Sequence, residues 1–198
     1  MIHPDTELKW INTRVGHGVF ATRFIPKGTL LWTQCAFDIV LKPAHLAALP
    51  SSMRDIATIY GYVDHEGDTI LCWDLGRFVN HACHPAMLSL GPHLEICVRD
   101  LAPGTELTCD YGTLNYNHVL SCHCGSPACR GEIRAEDALA LGSQWQQQLE
   151  DAVRAGSDVV QPLLPYIREP QTWQSYLSGQ LRLPTPDSYY LDKAKSNL

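Results

Sequence analysis

The sequence predicts a mostly β domain followed by a helical C-terminal extension. Three observations carry that expectation. Short apolar runs punctuated by Gly and Pro fill the first 115 residues, LEICV (94–98) alternates at the period of a strand, and the composition changes after Arg134.

Taken in order, the β-like runs are GVFAT after Gly16, TLLWT after Lys27-Gly28, FDIVL, IYGYV, TILCW and LEICV, in which Leu94, Ile96 and Val98 share one side. One helical insertion interrupts them, AHLAALPSSMRDIA (44–57), which Pro50 should break or turn. Past Arg134, Ser143 is positioned to cap a helix bearing Trp145, Leu149, Ala152 and Val153 on one face, with Gly156 as its stop. Prolines 162, 165 and 170 precede a second short helix with Trp173 and Leu177 one turn apart. The aromatics of this tail read as packing residues, and the last dozen residues, ending DKAKSNL, read as frayed.

At 198 residues with 45% apolar content, the chain can bury a full core. MIHPDTELKW does not begin a secretion signal and no eighteen apolar residues run together, so an intracellular, soluble protein is expected, cytoplasmic or nuclear alike. A net charge of −6 argues against direct nucleic-acid binding and suits a basic partner, though it serves solubility equally well.

The eight cysteines are expected to be reduced. Cys35, Cys72, Cys97 and Cys109 lie among apolar residues and read as core filler. Cys122, Cys124 and Cys129 instead crowd into SCHCGSPACRG (121–131), where Gly125 and Pro127 let the chain turn three thiolates toward one ion. Tetrahedral zinc takes four ligands, and His123 within the run or Cys83 far upstream could complete the set. Were it Cys83, the metal would clamp the polar segment GRFVNHACHP (76–85) to a distant loop and couple folding to metal binding.

Four motifs then stand in one order: GHGVFATRFIPKGTLL (16–31), RFVNHACHP (77–85), VRDLAPGTELTCDYG (98–112) and CHCGSPACRGEI (122–133). Together they resemble the SET-domain protein lysine methyltransferases, which use S-adenosylmethionine. The resemblance implies a β-clip fold with a knot-like crossing and a post-SET zinc site, and leaves a C-terminal helical tail outside it. It divides the chain into a SET domain (8–115), a post-SET zinc segment (116–134) and a helical extension (135–198). It implies methyl transfer to the side-chain amine of lysine in a protein or peptide substrate, a histone or another basic protein.

Carried over by motif, Asn80 and His81 would hold the cofactor within the crossing, and Tyr111 would sit beside the transferable methyl. Gly16, His17 and Gly18 would offer backbone groups to the cofactor. Arg77 and Phe78 fall in the same motif, and Tyr60 matches a family tyrosine near the site. Cys83, Cys122, Cys124 and Cys129 would bind one structural zinc.

Departures from the pattern are TQCAF (33–37) where the family has E-Y-x-G-E, Ala82 and Ala86 for serine and asparagine, and Cys109 where many members carry Phe or Tyr. A channel tyrosine is therefore missing or relocated, and the smaller Cys109 leaves room for more than one methyl. These changes keep open an alternative, a catalytically inactive SET-like zinc module that binds peptides or organises a complex. A third class, a cysteine nucleophile at Cys83 beside His84, is separated by metal content.

Overall fold

The computed structural model describes residues 1–115, 118–183 and 185. Twelve short strands and four helices follow one another. They are β1 (Thr6–Asn12), β2 (Gly16–Ala21), β3 (Leu30–Thr33), β4 (Ile39–Leu41), α1 (Pro43–Ala48), α2 (Ser51–Tyr60), β5 (Gly61–Val63) and β6 (Thr69–Leu71). Then come β7 (Asn80–His81), β8 (Met87–Ser89), β9 (Leu94–Cys97), β10 (Glu106–Cys109), β11 (Leu120–Ser121), β12 (Glu132–Ile133), α3 (Asp137–Gly156) and α4 (Pro170–Leu177).

The main sheet runs β1-β2-β10-β8-β9-β3, with β7 added alongside β10; β4-β6-β5 and β11-β12 form two smaller sheets. Most neighbours are antiparallel, but β10 lies parallel to both β7 and β8, pairing Thr108 with Asn80, Cys109 with His81, and Cys109 again with Met87. The chain therefore returns to β10 between two segments it laid down earlier.

The alternation in LEICV is real, but neither side of the strand lies on the outer surface. Leu94, Ile96 and Val98 join Leu30 and Leu88 in a core against Trp145, Leu149, Ala152, Val153 and Trp173 of the two long tail helices. Cys97 enters a second core with Val19, Leu31, Met87 and Leu107. All four residues of β9 are buried. Burying each large apolar side chain is worth roughly 1.5–3 kcal/mol, so the tail is an integral layer of the domain.

Local details differ from the sequence expectation. Helix α3 starts at Asp137, and Ser143 lies exposed within it rather than capping it. The reason is tertiary, since the Asp137 carboxylate accepts the Arg134 N–H at 3.1 Å and lies 3.2 Å from the Arg130 guanidinium, anchoring an earlier first turn. IYGYV is part helix, because α2 continues through Tyr60 and only Gly61–Val63 is strand; a Cβ on Gly61 would fall 2.4 Å from the Ala57 carbonyl. Pro50 does separate α1 from α2. Strand β1 gave no signal because it is an edge strand with every residue at least partly exposed.

Cys35, Cys72, Cys97 and Cys109 are all buried, and burial pushes the Cys72 and Cys97 thiols up to about 12, as inert filler requires. No helix of the described residues is long and apolar enough to cross a membrane. The expected fraying of the last dozen residues lies outside the described residues.

Candidate functional site

The strand pairing of β7 with β10 brings the N-H and D-Y segments together. The Asn80 side-chain amide donates to the His17 carbonyl at 3.0 Å and to Glu106 Oε1 at 2.8 Å, tying β7 to β2 and β10. Both amide protons are thereby used, and the side-chain oxygen remains as an acceptor. Gly18 is required by this closeness, since a Cβ there would lie 2.6 Å from Glu106 Oε1 and 3.0 Å from Asn80 Nδ2. Gly16 serves a different need, a left-handed turn at φ +83°.

His81 bridges two parts of the site. Its Nδ1 accepts the Tyr111 N–H at 3.1 Å, and its Nε2 faces Cys83 Sγ at 3.3 Å. An accepting Nδ1 places the proton of a neutral ring on Nε2, which then donates to the sulfur. Burial lowers the His81 pKa against the opposing pull of Asp110, which keeps the ring neutral. The Tyr111 hydroxyl donates to the Val79 carbonyl at 2.8 Å, and its ring lies 5.5 Å from that of His81. Its oxygen therefore offers lone pairs rather than a proton.

The thiols converge. Cys83 Sγ and Cys129 Sγ each lie 3.6 Å from Cys122 Sγ, and the Cys83 N–H points at Cys124 Sγ at 3.5 Å. Four thiolates at about 2.3 Å from a tetrahedral ion sit roughly 3.8 Å apart, so this donor set fits zinc. The β11–β12 hairpin brackets the loop, with the Cys122 N–H on the Gly131 carbonyl at 2.8 Å. His81, Cys83, Cys122 and Cys124 place their ligand atoms within 4.8 Å of one another. The sequence reading had assigned His81 to the cofactor alone, whereas the fold also sets it against the sulfurs. His123 is exposed and outside this group; Cys129 is also outside it, although its Sγ lies 3.6 Å from Cys122 Sγ.

Opposing influences act on these thiols. At Cys124 burial works upward, but the backbone N–H groups of Cys83 and Ser126 together with hydrogen bonds to Cys122 and Cys129 bring the thiol down to about 7. Burial pushes Cys83 up, and His84 is exposed, which is the wrong setting for an activated nucleophile.

Two residues that the sequence reading passed over hold the site together. Arg130 meets Asp110 through two parallel bonds of 2.7 Å, and its backbone N–H reaches Cys83 Sγ at 3.4 Å. Glu106 orients Asn80, as described above. Glu106 lies in VRDLAPGTELTCDYG and Arg130 in CHCGSPACRGEI, but neither motif by itself shows the partner that gives each its role.

Around this centre runs a chain of edge-on rings, Trp10 to His17 (5.2 Å), His17 to Phe78 (5.9 Å) and Phe78 to Tyr60 (5.5 Å). Arg77 turns inward, donating to the Trp73 and Asp74 carbonyls and lying 5.6 Å over the Phe78 ring. These flat apolar faces, with the acceptor oxygen of Asn80, complement a ligand that carries a heteroaromatic ring and an ammonium group. Next to them opens a cavity whose walls include Tyr60, Tyr62, Glu95, Cys109 and Tyr111. Both tyrosines of IYGYV thus face the same space.

The fold and the site define a SET-domain protein. Residues 16–112 match the family model of the SET domain, and through that domain the chain belongs to the SET-domain family. Among curated relatives, the "Histone-lysine N-methyltransferase, H3 lysine-36 specific" of Schizosaccharomyces pombe is 32% identical over 155 residues, covering 73% of this chain and 19% of that protein. The histone-lysine N-methyltransferase SETMAR of Mus musculus is 29% identical over 157 residues, covering 64% of this chain and 51% of that protein. The chain thus spans about half or less of the length of these relatives. Among solved structures, the methyltransferase domain of human SETMAR aligns with a TM-score of 0.46 at 22% identity, over 68% of this chain and 58% of that one.

Proposed function

We propose that this chain transfers the methyl group of S-adenosylmethionine to the side-chain amine of lysine in a protein substrate, a histone or another basic protein. The observation that carries this reading is the continuous contact from Tyr111 through His81 to Cys83, with Asn80 on the adjoining residue. A scaffold that only bound peptides would gain little from that linkage. Names of relatives such as the H3 lysine-36 specific enzyme make core histones the first substrate to try.

When bound, S-adenosylmethionine supplies a methyl group on a positively charged sulfonium. Asn80 Oδ1 would hold the ammonium of its methionine part, while the backbone of Gly16, His17 and Gly18 and the rings of Tyr60 and Phe78, backed by Arg77, would hold the remainder. We read the parallel β7–β10 pairing as the local form of the knot-like crossing. Lysine titrates near 10.4 in water, so offering its lone pair at neutral pH costs about 4–5 kcal/mol. The partly apolar cavity disfavours the ammonium by desolvation and so offsets part of this cost. The Tyr111 oxygen, its proton committed to Val79, orients amine and methyl without taking the proton. Fixing two reactants in line can lower a barrier by roughly 7–11 kcal/mol.

For the metal we assign Cys83, Cys122, Cys124 and Cys129 as zinc ligands, with His81 donating to the Cys83 sulfur from outside the ion, because its Nδ1 already accepts from Tyr111. We also divide the chain into a SET segment (8–115), a post-SET segment (116–134) and a tail (135–198) that shares its core with the first. The test is label transfer from methyl-tritiated S-adenosylmethionine to core histones, run beside Tyr111→Phe. Transfer by the parent protein and its loss in the variant are expected. No transfer and no thermal shift with S-adenosylmethionine would support the inactive module instead.

A further inference from the structure

Glu95 is out of place in a buried strand. It stands in β9 between Leu94 and Ile96, which face the tail helices, so its own side chain faces the opposite way, where it lines the cavity beside Tyr62, Cys109 and Tyr111. The residue is 8% exposed. Its Oε1 accepts from Ser89 Oγ at 2.5 Å, whereas its buried Oε2 has no partner among the described residues. The Tyr62 hydroxyl, in the same wall, is likewise buried without a partner.

A buried carboxylate with an unmet oxygen is costly unless a cation meets it. The nearby candidate within the chain is Arg77, which also lines the cavity, but its guanidinium is turned to the Trp73 and Asp74 carbonyls and forms no ion pair with Glu95 among the described residues. Burial accordingly pushes the Glu95 carboxyl up to about 7. The cavity opens to solvent, so a cation can reach Glu95 from outside.

We infer that Glu95 is the cation-recognising residue of this cavity, its Oε2 together with the Tyr62 hydroxyl receiving the ammonium at the end of the substrate lysine side chain. This rests on the methyl-transfer reading and adds to it a specificity-determining residue. A carboxylate beside the ammonium favours its charged form, so Glu95 acts only as the side chain enters, and the amine leaves it for the apolar part of the cavity before losing its proton. It selects a primary or methylated ammonium over a neutral chain of the same length.

The chain has three methionines, Met1, Met53 and Met87, and of these Met87 alone lines the cavity. Protein labelled with methyl-13C methionine is titrated at pH 8 with n-butylammonium chloride and, separately, with n-butanol. The Met87 signal should move saturably with the ammonium at about a tenth or less of the concentration the alcohol needs, while Met1 and Met53 stay put. Glu95→Gln should erase that preference, and Ser89→Ala, which leaves the carboxylate in place, should keep it. Equal response of the parent protein to the two probes overturns the proposal even if Glu95→Gln fails to fold, and so does a preference that survives in a folded Glu95→Gln. Label transfer to histones without ammonium preference overturns the role of Glu95 and leaves the activity standing. Ammonium preference without label transfer supports Glu95 as the cation site and removes the activity.

Discussion

Replacing Arg130 by methionine should destabilise the protein in a way that its partner Asp110 can report. The guanidinium and carboxylate meet through two bonds of 2.7 Å, the Asp110 side chain is 0% exposed and that of Arg130 is 19% exposed. Arg130→Met keeps most of the apolar stem but strands a buried negative charge. Removing one partner of a buried pair costs about 3–5 kcal/mol. Asp110 would retain the Gly112 N–H at 3.0 Å, and Arg130 is partly screened by solvent, so the low end applies, about 3 kcal/mol. For a chain of this size each kcal/mol moves Tm by roughly 2–4 °C, giving a fall of roughly 6–12 °C. The assay is thermal unfolding at a fixed excess of zinc, so that metal loss is not counted as lost pairing. Asp110→Asn combined with Arg130→Met removes the stranded charge and should recover about half of the loss. A single variant within about 2 °C of the parent, or a double variant that falls by the full sum of the two singles, would refute the reasoning.

Other consequences follow from the same geometry. Cys122→Ser removes the sulfur that both Cys83 and Cys129 approach, so bound zinc measured by metal analysis should drop from stoichiometric to a small fraction, and label transfer should go with it. Gly28→Ala places a Cβ at φ +90°, 2.5 Å from the Gly156 backbone nitrogen, and should cost on the order of 2–4 kcal/mol in urea unfolding by lifting α3 from the sheet. Burial pushes the Glu95 carboxyl up to about 7, above the ordinary glutamate range, so across the interval between that range and about 7 the native state holds a proton that the unfolded chain releases. Stability should therefore fall as pH rises through it, by up to about 3 kcal/mol relative to Glu95→Gln, whose profile lacks this component. With Cys109 in the cavity wall in place of a larger aromatic, exhaustive reaction should yield products with more than one methyl by mass spectrometry.

Several site features were legible because they are local. CHCGSPACRG carries its thiols at a turn spacing, and RFVNHACHP and GTELTCDYG carry their chemistry in consecutive residues. The spacing left His123 and Cys83 open as the fourth ligand, and the fold brings Cys83 Sγ to 3.6 Å from Cys122 Sγ. Arg130 and Glu106 were passed over because what distinguishes them is a partner, Asp110 and Asn80 respectively, that no spacing predicts. Ser143 looked like a cap because its residue type favours one, but the helix begins where Arg130 and Arg134 engage Asp137.

By itself the sequence determined the period of its strands, the break at Pro50, the thiol loop and the order of four motifs, since each depends on neighbours a few residues apart. The tertiary structure decided which face of β9 meets helices and which meets the cavity, that His81 lies between Tyr111 and a sulfur, and that Glu95 has one oxygen to spare. A side chain's period fixes only that it alternates. What waits on each side depends on strand pairings and helix docking between segments far apart in the chain, and those are settled by burial and charge in three dimensions.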